Sequence, residues 1–327
     1  MWPAEQAAAL RARFDDVASL AARTNKATVL VVQQFPVPAD SGVSFPPVRE
    51  SIANVLAFVE LGAARDLESV LDAAGPFNWI AVDCDRKLPE SAAIVRTARS
   101  SVAPERLLFF SDNQVWFDSA LDMVQRLEHG LTDKRVVLCG DGPLADTFAS
   151  VLPRIGASMV EADPRASRLD ASIVLGTSQK RESVDASLVG RLPPGASIYD
   201  LGIGNLTADA ADLARTRGFS LYRLDNRAGI SSGIVRMLET DNMVTQHMGR
   251  VRLRDVDVVA GGLLAPSGAV IVDDIRRPTM IFGVADGRGR FKHEPLDAAD
   301  RERVDYVRGI IAHALDASPV ASERRRG

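Results

Sequence analysis

Residues 134–163, KRVVLCGDGPLADTFASVLPRIGASMVEAD, are the stretch from which the fold is read. Val136-Val137-Leu138-Cys139 is a short apolar run of the kind that forms a strand buried on both faces. It runs into Gly140-Asp141-Gly142-Pro143-Leu144-Ala145, the pattern G-x-G-x-x-A. A helix is predicted next, with Leu144, Phe148, Val151 and Ile155 on one face and Gly156 as its stop. Pro153 near its end removes a backbone donor, so the last turn should be short or kinked. Ser158 to Val160 reads as the following strand, and Asp163 stands about 20 residues past the second glycine, the spacing of a dinucleotide-binding fingerprint.

Each part has a physical task. Gly140 allows the tight turn, and Gly142 lets a pyrophosphate approach the backbone beside a helix N-terminus with free N–H groups. Ala145 permits close helix–strand packing. Asp163 can accept hydrogen bonds from ribose hydroxyls and repels a 2′-phosphate, which favours NAD; Arg165 leaves NADP open. Further on, apolar runs end in Gly176-Thr177-Ser178 and Gly202-Ile203-Gly204-Asn205. Glycines 140, 176 and 202 should therefore crowd one edge of one sheet, where ligands bind in doubly wound folds. The expected cofactor residues are Gly140, Gly142, Pro143, Leu144, Asp163, Thr177, Ser178 and Gly202.

The remaining chain frames this unit. A length of 327 residues accommodates two ordinary domains. A net charge of -4 offers nothing to nucleic acid or an anionic membrane. The start, MWPAEQAAALRARFDD, lacks an apolar core and is not read as a secretory signal, and Val258–Val272 is too short and interrupted to span a bilayer. Cys84 and Cys139, at predicted strand ends, suggest buried thiols in a cytoplasmic protein. The four histidines lack metal-ligand spacing, so no metal is expected.

Before the quoted stretch, an amphipathic helix over 4–23, strands at Val29–Val32, Trp79–Val82 and Leu107–Phe110, and helices at Val48–Leu61, Asp66–Ala74 and Ser91–Ser101 imply a small α/β domain. The helix at Val48–Leu61 should turn Ile52, Val55, Leu56 and Val59 inward and stop at Gly62. Four prolines between 36 and 47 give a stiff extended loop, either functional or a plain connection. Asp112 or Asn113 should cap a linking helix with Phe117, Leu121, Val124 and Leu127 inside. Beyond a helix through about Met248, Val256–Lys292 suggests two or three antiparallel strands. Asp297 should cap a last helix, and 318–327 should be disordered. The expected domains are 1–113 (substrate lobe), 114–248 (Rossmann-type doubly wound parallel sheet) and 249–327 (strands plus helix, over the cleft or at a dimer interface).

Several segments together resemble the NAD-dependent dehydrogenase family that completes pyrrolysine biosynthesis. They are Arg49-Glu50-Ser51-Ile52, Asp83-Cys84-Asp85, Asp112-Asn113-Gln114, the glycine motif with Asp163, and Ala228-Gly229-Ile230-Ser231-Ser232. The resemblance covers roughly residues 5–240. More distantly, the layout looks like shikimate and methylenetetrahydrofolate dehydrogenases. Ala145 replaces the family's third glycine, Cys84 replaces one acid, and residues 250–327 have no counterpart there.

The resemblance implies oxidation of an amine carbon by hydride transfer to NAD, with ring closure by a second amine, on a small amino-acid-derived substrate. The residues able to face a nicotinamide are Glu50, Ser51, Asp83, Asp85, Asp112 and Asn113; four of the six are acids, a set suited to a protonated amine. Asp83 is the first choice as counter-ion and base and Glu50 the second, with Ser51 and Asn113 orienting the substrate. Plainer roles remain open: Asp112 and Asn113 as helix caps, Glu50 as a dipole partner, and Asp83 and Asp85 as solvated turn residues. Lys87 is an alternative, since shikimate-type enzymes use a Lys with an Asp. Arg236, Gln246 and His247 read as surface or packing residues. Alternative functions are a hydroxy-acid, keto-acid or folate-carrier dehydrogenase, or a non-catalytic NAD sensor. A homodimer is expected.

Overall fold

A computed structural model describes residues 2–35, 42–163, 165–178, 182–202, 204–224, 226–260 and 262–316. The chain divides into two compact units, Met1–Ile234 and Val235–Gly327. Residues 36–41 of the proline-rich loop and the tail at 318–327 lie outside the described residues.

The first unit is α/β throughout. Its first lobe runs α1 (Ala4–Thr24), β1 (Ala27–Gln34), β2 (Val43–Ser44), β3 (Arg49–Glu50), β4 (Asn54–Leu61), α2 (Leu67–Asp72), β5 (Trp79–Asp83), α3 (Ser91–Ser101) and β6 (Leu107–Phe110). Strands β4, β1, β5 and β6 lie side by side and parallel, while the short β2 and β3 pair antiparallel along β4. Phe14, Leu30, Leu61, Leu67 and Ile94 are fully enclosed between the sheet and its helices.

The segment expected as a helix at Val48–Leu61 is instead β3, a turn and β4. β4 pairs with β1 along its whole length, from Ala27↔Asn54 to Gln34↔Leu61. Val55, Leu56, Ala57, Phe58 and Val59 are all buried, whereas Ile52, expected inward, is 99% exposed. A continuous apolar run buried on both faces has no periodicity to separate strand from helix. Its β-branched and aromatic residues carried the weaker signal that tertiary pairing makes decisive. Gly62 is no helix stop; its N–H donates to Gly42 O at 2.9 Å.

Helix α4 (Asp112–Leu127) leads into the second lobe: β7 (Arg135–Cys139), α5 (Pro143–Val151), β8 (Ser158–Met159), β9 (Ile173–Gly176), α6 (Ala186–Arg191), β10 (Ser197–Asp200), α7 (Ala208–Thr216), β11 (Ser220–Arg223) and α8 (Asn226–Asn242). Ser111, not Asp112 or Asn113, caps α4, its hydroxyl accepting from Gln114 N at 3.2 Å. The five strands are all parallel in the order β11-β10-β9-β7-β8. The chain leaves β7 outward to β8 and returns across it to β9, so β7 and β9 flank a topological switch point. As Pro153 requires, α5 ends in a 3-10 turn over Leu152–Ile155, closed by Gly156 at φ 87.

The Gly229–Gly233 run lies inside α8 and not before it. A Cβ on Gly229 would fall 1.4 Å from Ser119 Oγ, and one on Gly233 would fall 3.3 Å from Val115 Cγ2. Two glycines four residues apart therefore let α8 cross α4 at backbone range.

The second unit carries β12 (Gly249–Leu253), β13 (Val256–Ala260), β14 (Val270–Val272), β15 (Ile281–Val284) and α9 (Ala298–Asp316). Among the described residues Val256–Lys292 holds three strands, within the two or three expected, with β12 before them; β13–β14 is parallel, which corrects the expected antiparallel pairing. Asp297 does cap α9, accepting from Asp300 N at 2.8 Å, and Val304, Val307 and Ile311 pack on the sheet. Among the described residues no helix is long and apolar enough to cross a membrane.

Gly229→Ala should destabilise the protein by about 1–3 kcal/mol despite the better helix propensity of alanine, because the new methyl has no room. Adding Ser119→Gly should recover most of the loss in urea unfolding. An unchanged midpoint for Gly229→Ala alone would contradict the close crossing.

Candidate functional site

The carboxyl edge of the first sheet gathers its polar residues because each strand ends there in a polar group. β1 ends in Gln33-Gln34, β5 in Asp83, and β6 delivers the chain to Asp112 at the start of α4. All four side chains are buried. Lys87, four residues past Asp83, reaches back into them: Nζ lies 2.8 Å from Asp83 Oδ2 and 2.6 Å from Asp112 Oδ2.

The surrounding donors fix both carboxylates. Gln33 Nε2 donates to Asp112 Oδ1 at 2.9 Å. Asp83 Oδ1 accepts from Asp85 N at 2.9 Å and Asp112 N at 3.4 Å, while Gln34 N approaches Oδ2 at 3.4 Å. Gln34 Nε2 also holds the Asp83 carbonyl at 2.8 Å, and Ser91 Oγ donates to Gln34 Oε1. Asp85 Oδ2 accepts from Asn113 N at 2.8 Å.

Two carboxylates sharing one ammonium leave one negative charge in excess. Burial pushes the Asp83 carboxyl above its ordinary value, against the pull of Lys87. Burial alone would lower Lys87, but Asp112 and Asp83 outweigh it and hold the ammonium above the usual lysine range. Lys87 thus stays protonated, and burial leaves Asp83 easier to protonate than an ordinary carboxylate.

This geometry revises the catalytic assignments. Asp83, the first choice as base, is fully enclosed with both oxygens engaged and holds Lys87. Asp85 lies half-buried at the rim, and Asn113 joins through its backbone N–H, its side chain being exposed. Glu50 and Ser51 lie elsewhere. Glu50 pairs with Val55, itself opposite Thr28, at the amino end of the sheet. That level is about 16 Å below Gln33 at 3.3 Å per residue. There Glu50 takes Lys26 Nζ at 2.6 Å, and Ser51 Oγ accepts from Ser231 Oγ at 2.7 Å. Gln33, Gln34 and Ser91 were not picked out by the sequence; paired glutamines closing an otherwise apolar strand were the available signal.

The second sheet contributes its own carboxyl edge. Gly140 has φ 136, and a Cβ there would lie 2.4 Å from Ser178 N. Gly142 has φ 95 with nothing within 4 Å of its Cβ position, so the turn's outer side is open. Pro143 takes the first position of α5. Leu144 packs against the Phe117–Phe148 cluster and so anchors the helix. Ala145 is buried, as close helix–strand packing demands.

Thr177 and Ser178 are buried and do not line an open cleft, contrary to expectation. Thr177 N donates to Cys139 O at 2.9 Å and Ser178 N to Asn205 Oδ1 at 3.1 Å. Asn205 is fully buried; its Nδ2 donates to Asp200 Oδ1 at 2.8 Å and its Oδ1 also accepts from Ser183 Oγ at 2.7 Å. A Cβ on Gly202 would strike Asn205 Nδ2 at 2.4 Å and Ser178 O at 2.6 Å, and one on Gly176 would strike Asn205 Cβ at 2.7 Å. Three of the glycines therefore make room for this Ser178–Asn205–Asp200 knot, while Gly142 and Gly204 have open space at their Cβ positions.

Asp163 is exposed, four residues beyond the end of β8, with Oδ1 accepting from Arg165 N at 2.9 Å. Both residues that bear on cofactor choice thus share one turn. The main chain at 140–142, the free N–H groups of Leu144 and Ala145, and Asp163 fit a dinucleotide: the glycine turn is open, and α5 is nine residues long. Burial pushes the Cys139 thiol up to about 12, which makes it inert packing at the end of β7. Cys84, expected to be buried, is exposed beside Asp83. Among the described residues no group of three or more His, Cys, Asp or Glu could hold a metal ion.

Helix α4 ties the two edges together. Asp112 at its start holds Lys87, and Trp116, one turn later, donates from Nε1 to Leu201 O at 2.6 Å, at the carboxyl end of β10. Residues four apart on a helix are about 6 Å apart.

The chain matches no protein-family model and no curated protein. Among solved structures it is similar to the bifunctional FolD methylenetetrahydrofolate dehydrogenase/cyclohydrolase of Campylobacter jejuni, at 11% identity over 72% of this chain and 97% of that chain, TM-score 0.38. It is also similar to the corresponding Thermoplasma acidophilum enzyme (10% identity, 70% and 95%, TM-score 0.39) and to shikimate dehydrogenase 1 of Peptoclostridium difficile (11% identity, 66% and 90%, TM-score 0.33). Superpositions this loose define no shared chemistry, which rests on the residues themselves.

Lys87→Met leaves Asp83 and Asp112 facing each other without their cation. It should cost about 3–5 kcal/mol at pH 7.5. Asp83, whose native value is raised, favours the fold when protonated, and this contribution is lost as pH rises from the ordinary carboxylate range through the raised value. The Lys87→Met deficit should therefore shrink as pH falls toward 5 in urea titrations; a deficit independent of pH would contradict the shared charge.

Proposed function

We propose that the protein is a nicotinamide-dependent oxidoreductase whose Lys87, held by Asp112 and Asp83, moves the proton that accompanies hydride transfer. The observation that carries this reading is the position of Lys87. Two of its three N–H donors are spent on the carboxylates, and its side chain keeps 20% exposure for the third. An ammonium donor needs a partner with a lone pair: a carbonyl or hydroxyl oxygen, or a neutral nitrogen.

When bound, a nicotinamide supplies or accepts the hydride. The chain's own residues do the rest. As negative charge grows on the substrate's oxygen or nitrogen, Lys87 gives it a proton; in the oxidative direction Lys87 takes that proton back. Asp112, less enclosed than Asp83, stabilises the cation, and Gln33 keeps its other oxygen from turning away. One turn of α4 between Asp112 and Trp116 keeps this donor close to the edge where the glycine turn opens, which supports a shared cleft. NAD is favoured by Asp163, with Arg165 beside it offering a partner for NADP.

A second reading narrows the reaction to a C–N bond, the oxidation of an amino-acid-derived amine with ring closure, or the reverse. It is supported by the excess of acids, Asp83, Asp85 and Asp112, over the one lysine. In that reading the nitrogen meets Lys87 as a neutral amine or imine.

Calorimetric titration with NAD, NADH, NADP and NADPH tests the cofactor. At least one should bind, and Asp163→Ala should weaken NADH about tenfold or more, the worth of a charged hydrogen bond. Failure of all four to bind would remove the oxidoreductase reading.

A further inference from the structure

The second unit, Val235–Gly327, holds under a third of the chain. Among the described residues it nevertheless carries eight of the twelve exposed large apolar side chains, and five of the eight gather at one edge of its sheet. Alternation along β15 turns Ile281 inward onto the core under α9 and leaves Met280 and Phe282 outside. Gly283 follows, and a Cβ there would fall 2.9 Å from Phe291 Cδ1, so the Phe291 ring lies against the strand next to Phe282. Ala285 pairs with Phe291 across a hairpin. The turn of that hairpin reaches Leu264, whose Cδ1 lies 3.4 Å from the Cβ position of Gly289, and Leu263 precedes it. The two edges of this sheet differ. β12 carries the exposed Arg250 and Arg252, the usual guard of an unpaired strand, whereas Met280 to Ala285 carry no charge.

We infer that a second copy of this chain docks on the patch formed by Leu263, Leu264, Met280, Phe282 and Phe291, about a twofold axis. Charge and area both select that occupant. In a twofold contact the same patch meets itself, so charges of one sign would face each other. The patch has none. Its rim carries both signs: Asp273 accepts from Met280 N at 3.0 Å, and Asp286 accepts from the backbone of Arg288 and Arg290 at the hairpin. A nucleic acid would call for cations alone around the aromatic rings, and these carboxylates stand among them. The area agrees. Large side chains present about 150–250 Å² each, so these five, 43–73% exposed, offer on the order of 500 Å² of apolar surface. A standard interface takes about 800 Å² from each partner, and about 65% of a homodimer interface is apolar, so roughly 520 Å² is needed.

Sedimentation equilibrium of the full chain at micromolar concentrations tests this. The protein should sediment with twice the chain mass. Leu264→Glu and Phe282→Glu should each raise the dissociation constant about a hundredfold or more, because the twofold repeats the substitution and buries each new carboxylate unpaired. Both side chains are more than half exposed in the single chain, so circular dichroism should show both variants folded. Ile52→Glu, at an exposed apolar position of the first unit, should leave the dimer intact. A monomeric unaltered chain, a dimer that survives both patch substitutions, or one that Ile52→Glu dissociates would overturn the inference. Hydrogen exchange tests it without any variant: backbone amides at 280–291 should exchange more slowly as the unaltered chain is concentrated through its dissociation constant, and exchange there that ignores concentration would also overturn it.

Discussion

The lysine between two aspartates is the constraint that organises the first unit. A charge buried at a sheet edge is tolerated only when paired and hydrogen-bonded. Satisfying Asp83 and Asp112 at once requires β5 and the start of α4 to stay adjacent, the turn after β5 to fold back, and β1 to end in two amides. The cluster is therefore a clamp on the lobe. Its imbalance of one cation to two anions keeps Lys87 protonated, while burial raises the Asp83 carboxyl above its ordinary value.

The second lobe solves a different problem at its own edge. Loops from β9 and β10 must pass close to the turn after β7, and a side chain on any of three glycines would block them. Asn205 and Asp200 take up the backbone groups that this crowding would leave unsatisfied. Gly142 has open space where a Cβ would stand, in the turn that follows β7 beside the switch point with β9. Helix α4, anchored at its start to Lys87 through Asp112 and one turn on to Leu201, ties the two sheet edges together.

Much of this was legible from local pattern. Strand, glycine turn, helix and second strand over 134–160 follow residue by residue from apolar runs and turn chemistry, including the broken last turn at Pro153. The edge location of glycines 140, 176 and 202 was legible too, because parallel strands end on the same side. The purpose of those glycines was not, since it depends on Asn205, which local pattern gives no reason to place against Ser178. The acids 83, 85 and 112 were correctly gathered at one edge. Glu50 and Ser51 were wrongly gathered with them, because reading Val48–Leu61 as a helix reverses which end of the segment reaches that edge.

By itself the sequence determined the alternation of strands and helices outside Val48–Leu61, the parallel glycine-turn unit and the identity of the acids that end the strands. These follow from side-chain periodicity and backbone sterics within a few residues. Only the tertiary structure decided that the 54–61 run is a strand, that Asp83 is enclosed and holds a lysine, and that Thr177 and Ser178 are internal struts. Each of those depends on a partner dozens of residues away. Burial, pairing and charge balance are properties of the assembled edge and not of any segment that contributes to it.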